Sequence, residues 1–66
     1  MRREIVVGYS EMREGWMVSE GTEVYEICDL KQDAERKGRS KAKSVAPSVF
    51  VVERKNGGVS YSQNYD

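Results

Sequence analysis

The chain has 66 residues, 11 basic and 11 acidic side chains, no histidine and one cysteine. That length fits one thin-cored domain, and a lone cysteine excludes an internal disulfide as its support. No apolar run approaches the roughly 18–20 residues of a membrane span, and Met1-Arg2-Arg3-Glu4 is followed only by Ile5-Val6-Val7, short of the about 7–15 apolar residues of a signal peptide. The expectation is a single cytoplasmic domain over residues 1–66, in a reducing compartment.

The zero net charge hides a segregation. Glu11 to Asp29 holds six acids and one base, net −5, whereas Lys31 to Lys43 holds six bases and two acids, net +4. Such a dipolar chain suits an anionic partner or self-association, and it equally suits a solvated charged surface.

In chain order, Arg3 to Tyr9 contains the β-branched run Ile5-Val6-Val7 and reads as a strand. Gly8 and the polar stretch Ser10 to Glu14 lead into a turn. Gly15-Trp16-Met17-Val18 reads as a second strand, with Trp16 and Val18 on one face and Met17 on the other. After the turn signal Glu20-Gly21-Thr22, Glu23 to Ile27 alternates imperfectly and reads as a third short strand.

Asp29 is an apt helix N-cap, with Gln32 where a capping-box partner belongs. Leu30, Ala34, Gly38, Ala42 and Val45 then form one stripe at helical spacing, and Pro47 ends the helix. The stripe is small, so this face can approach a sheet closely, which gives a reason for a helical glycine that costs about 1 kcal/mol against alanine. Lys31, Arg36, Lys37, Arg39, Lys41 and Lys43 occupy the other faces. Val49-Phe50-Val51-Val52 is the strongest strand. Asn56-Gly57 is a hairpin signal that favours a type I′ turn, and Val59 to Tyr65 returns. The expected fold class is α+β: an antiparallel sheet with one helix packed on one face, in the order β-β-β-α-β-β.

This series, from Gly15-Trp16-x-Val18 through Lys31, Ala34, Arg39 and Ala42-Lys43 to Phe50-Val51-Val52, Gly57, Val59 and Tyr65, resembles a family of small bacterial and phage proteins. The family is known as a domain of unknown function, number twenty-one eighty-eight. The resemblance covers roughly Glu14 to Asp66. Cys28, Leu30, Glu35 and Lys41 depart from its pattern, which has an aromatic just before the helix, threonine at the cap region, and aliphatics after the position of Ala34 and before that of Ala42. The resemblance implies a fold and a phage or mobile-element setting, and no activity.

The chemistry available is narrow. Without histidine the commonest general base and transition-metal ligand are missing. Cys28 alone does not make a zinc site and as a nucleophile has no histidine partner; it reads as a small buried residue beside the helix cap. Glu20, Glu23, Glu26 and Asp29 lack calcium-loop spacing and read as an exposed acidic edge. No glycine pattern matches a phosphate loop. Hence no catalytic, cofactor or metal site is expected. Trp16 reads as a core anchor near Phe50 or Val52, with a binding aromatic as the alternative. Tyr9, Tyr25, Tyr61 and Tyr65 fit half-buried sheet positions, an interface belt, or stacking platforms for bases.

Two functional readings follow. The first is a protein-interaction module, as a homodimer or as a phage-encoded modulator of a host protein, using Val6, Met17, Val49 and Val51 on a sheet face that no second helix covers. The second is a nucleic-acid binder using Lys31, Arg36, Lys37, Arg39, Lys41 and Lys43, against which stands the zero net charge.

Overall fold

A computed structural model describes residues 2–66. Five strands and one helix follow in the expected order: β1 (Arg3–Ser10), β2 (Gly15–Glu20), β3 (Glu23–Cys28), α1 (Lys31–Ser44), β4 (Ser48–Glu53) and β5 (Val59–Tyr65). The strands form one sheet in the order β3-β2-β1-β4-β5.

The sheet is mixed rather than wholly antiparallel. β1 and β4 run parallel, with Ile5 beside Phe50 and Val7 beside Val52; the other three pairings are antiparallel. The cause is the helix. Its 14 residues span about 21 Å at 1.5 Å each, close to the roughly 20 Å of a six-residue strand. A chain leaving β3 therefore returns along α1 to the end of the sheet where β3 began. β4 then has to run in the direction of β3, which is also that of β1.

The core lies between α1 and one sheet face. Ile5, Val7, Val18, Phe50 and Val52 are fully or almost fully buried, and Ala34 and Ala42 face them from the helix. Each of the larger side chains contributes roughly 1.5–3 kcal/mol of apolar burial. Gly38 sits at the tightest point: a Cβ there would lie 2.7 Å from Phe50 Cε1 and 2.8 Å from Val7 Cγ2. The small stripe thus sets the helix-to-sheet distance, as the spacing implied. Beneath the last helical turn, buried Ser48 donates its hydroxyl to the Ala42 carbonyl at 2.6 Å, so the one buried polar side chain among the described residues is satisfied.

Several local expectations are corrected. The N-cap is Leu30, in extended conformation and without a side-chain capping bond, so neither Asp29 nor Gln32 closes the helix start. Because Leu30 stands outside the helix, the helical period does not carry it inward, and it is 53% exposed. Trp16 is half-buried rather than a fully buried core anchor: it packs at the margin of the cluster that contains Phe50 and Val52, edge-on to Tyr9 at 5.3 Å, with β1 between its strand and β4. The Asn56-Gly57 hairpin is not type I′: of its two residues only Gly57 has positive φ, at 94°. Gly57 N–H donates to the Arg54 carbonyl and Arg54 N–H to that of Gly58, the pattern of a three-residue loop with a glycine bulge. The imperfect alternation of β3 also has a cause. Val18 pairs with Glu26 and Ser19 with Val24, so Tyr25 is an extra, bulged residue.

Gly38→Ala tests the close approach by its sign. In an open helix this change stabilises by about 0.5–1 kcal/mol. Here the added methyl meets two immobile core side chains, and overpacking of about 1–3 kcal/mol should outweigh the gain. The expected urea midpoint is lower than that of the parent chain; a higher one would remove the packing argument.

Candidate functional site

Two surfaces contain the candidate residues: the basic faces of α1 and the sheet face opposite it. The helix bases do not stand free. Lys31 lies over the Trp16 ring at 5.1 Å and Lys41 over Tyr25 at 4.5 Å. On the other flank Arg39 lies over Phe50 at 5.4 Å and Lys43 over Tyr65 at 5.9 Å. Lys37 pairs with Glu26 at 2.5 Å, and Arg36 with Asp33 at 3.5 Å. The reason is geometric. A 14-residue helix is too narrow to roof five strands, so long basic stems descend from both flanks and their cations settle on aromatic faces. The two glutamates Glu26 and Glu35 complete this arrangement: Lys37 is held protonated above its ordinary range by its bond to Glu26, and Tyr61 accepts from Arg39 at 2.9 Å while donating to Glu35 at 2.8 Å. Burial and the Glu35 bond push the Tyr61 hydroxyl up. The acidic and basic stretches of the sequence therefore meet partly within one chain.

A second polar cluster ties β1, β2 and β3 together beside the helix. Arg3 grips Glu20 with two parallel bonds at 2.7 and 2.8 Å, and Tyr25 donates to the same carboxylate at 2.5 Å. These bonds hold Glu20 down at about 2 and raise Tyr25. A groove of about 340 Å³ opens next to it, lined by Val18, Tyr25, Glu26, Lys37, Ser40 and Lys41. Lys37 is paired there with Glu26, and Lys41 is stacked on Tyr25. Cys28 is buried, and that burial pushes its thiol up, away from nucleophilic reactivity. Among the described residues no group of three or more histidine, cysteine or carboxylate side chains is placed to hold a metal ion, and no helix is long and apolar enough to cross a membrane.

The opposite sheet face has no helix over it. Val6 and Val51 are neighbours across the parallel pair at its centre. Ser19 and Val24 continue that row on one side and Ser62 on the other. Met17 and Ile27 form a second pair, and Val49 stands next to Glu4 and Asn64. Val6, Met17, Val49 and Val51 are half-buried by their neighbours. The structure thus places all four on one surface. It adds Val24 and Ile27, 41% and 36% exposed, which sequence reasoning missed. Their phase depends on the Tyr25 bulge, and the broken alternation of β3 was the only signal of it. Glu53 lies over Gly8 on this face, and with Glu4 gives its margin an acidic character.

Compared with family models, with curated proteins and with solved structures, the chain matches none.

The Arg3–Glu20–Tyr25 cluster sets a pH dependence. A carboxylate with a folded pKa of about 2 and an ordinary value of 4.5 stabilises the fold above the ordinary value, and the contribution is lost as pH falls from there toward 2. Urea midpoints measured across pH 5 to 2 should therefore fall more steeply for the parent chain than for Glu20→Gln. Equal slopes would show that the ion pair carries no linkage.

Proposed function

We propose that the chain is a non-catalytic protein-interaction module that binds through its open sheet face. One observation carries this reading: the helix covers one side of the sheet, and the other side presents Val6, Met17, Val49 and Val51, extended by Val24 and Ile27, to the outside. Apolar side chains gathered on one uncovered face are the usual mark of a protein contact surface. Glu4 and Glu53 at its margin favour an apolar partner surface fringed by basic groups. The family resemblance, which remains a proposal, supplies a setting in which a small phage-borne module modulates a host protein.

The engagement of all six helix bases weighs against nucleic acid as the main ligand. A phosphate-binding surface needs cations available to displace counterions. Here Lys31, Arg39, Lys41 and Lys43 stack on aromatics, while Arg36 and Lys37 pair with acids.

Two measurements test the proposal together. A photo-reactive residue placed at Val51, and separately at Arg36, is activated in cells producing the chain. The expected result is a discrete protein adduct from position 51, lost on Met17→Glu, and no adduct from position 36. In parallel, random DNA and RNA should show no gel shift at low salt. A salt-sensitive shift abolished by Arg36→Glu, with no adduct from position 51, would overturn the proposal in favour of nucleic-acid binding.

A further inference from the structure

The two edges of the sheet are guarded differently. β3, at one edge, is six residues long, carries Glu23 and Glu26, and is bulged at Tyr25. These are devices that discourage a further strand from pairing. β5, at the other edge, has none of them along most of its length. Its seven residues, Val-Ser-Tyr-Ser-Gln-Asn-Tyr, include no charge and no proline, and its one irregularity lies at the start, between the Val52 and Glu53 pairings. Every residue from Val59 to Asn64 is exposed. The helix reaches β5 through side chains only, Arg39 and Glu35 to Tyr61 and Lys43 to Tyr65, so the outer rim of the strand remains open.

The two ends of this edge differ in charge. Arg54 and Lys55 make the hairpin before β5 basic, whereas Asp66, after its last residue, is paired with Arg2 of its own chain, so that end carries no excess negative charge. From this we infer that β5 pairs antiparallel with β5 of a second copy about a twofold axis near Ser62, joining two five-stranded sheets into one. In that arrangement the neutral Arg2–Asp66 end of each copy meets the basic hairpin of the other, and the two basic hairpins stay apart. Parallel pairing would set one basic hairpin against the other, and pairing through β3 would bring Glu23 and Glu26 near their own counterparts. Near the axis Tyr61 of one copy faces Gln63 of the second on the helix side, and the two Ser62 side chains meet on the outer side. A neutral strand of hydroxyl and amide side chains can form such cross-strand contacts without repulsion. The contact uses the rim of the sheet and leaves the open face free, so it goes beyond the interaction proposed above.

Sedimentation equilibrium from micromolar to millimolar protein, with amide hydrogen exchange at both extremes, tests the inference on the intact chain. The expected result is a concentration-dependent shift from monomer to dimer mass, with slowed exchange at the amides of β5 that do not bond to β4. Gln63→Lys points to the helix side and Ser62→Lys to the outer side. Each should weaken the dimer at least about fivefold, because lysine on an edge opposes pairing, whereas Met17→Glu should leave it unchanged. A constant monomer mass would overturn the inference. So would a dimer that survives Gln63→Lys and disappears with Met17→Glu, since self-association would then belong to the open face. Circular dichroism of each variant confirms the fold, and the exchange result on the parent chain is independent of any substitution.

Discussion

The separation between α1 and the sheet is fixed where Gly38 rests on Phe50 and Val7, with space there for a hydrogen and not for a methyl. Ala34 and Ala42, both fully buried, extend that contact by a turn in each direction. Close approach lets a core of few large side chains become dry: Ile5, Val7, Phe50 and Val52 fill the space directly beneath the small stripe. It also places the helix backbone so low that long side chains on its flanks reach the sheet, and the remaining surface chemistry depends on this.

Those flanking side chains are basic, and their behaviour follows from what they cover. With a narrow helix on a five-stranded sheet, the outer strands have no apolar roof. Tyrosine and tryptophan on these strands offer rings, and the lysine side chains reach down so that their cations lie over the ring faces. Each such contact is individually modest, and surface ion pairs such as Lys37–Glu26 contribute little to stability. Collectively they orient the charge of the molecule inward, onto its own sheet. A sequence stretch with net +4 therefore need not form a free cationic surface.

The opposite side has no equivalent device. The chain makes one crossover, between β3 and β4, and a single crossover helix can cover one face only. The other face combines valines from β1, β3 and β4 with Met17 and Ile27, and its two rims differ in charge and regularity. Both faces and both edges of the sheet therefore differ from one another in chemistry.

The amino-acid sequence by itself determined the elements and their order. β-branched runs, helical spacing of small residues and turn residues are local signals, and they act over a few residues. It also determined the role of Gly38, because a glycine centred in an Ala stripe has few explanations other than close packing, and it marked Val6, Met17, Val49 and Val51 as sharing a face by simple alternation. Tertiary structure decided the rest. The parallel β1–β4 pairing depends on matching helix and strand lengths across the crossover, which no local signal encodes. The inclusion of Val24 and Ile27 depends on one bulged residue, since a single insertion exchanges the two faces of a strand. The engagement of the helix bases depends on which aromatic lies beneath each one, and strand order decides that. Leu30 turned outward because the helix began one residue later than the Asp29 cap signal implied, and a stripe defined by period is valid only inside the helix that produces it.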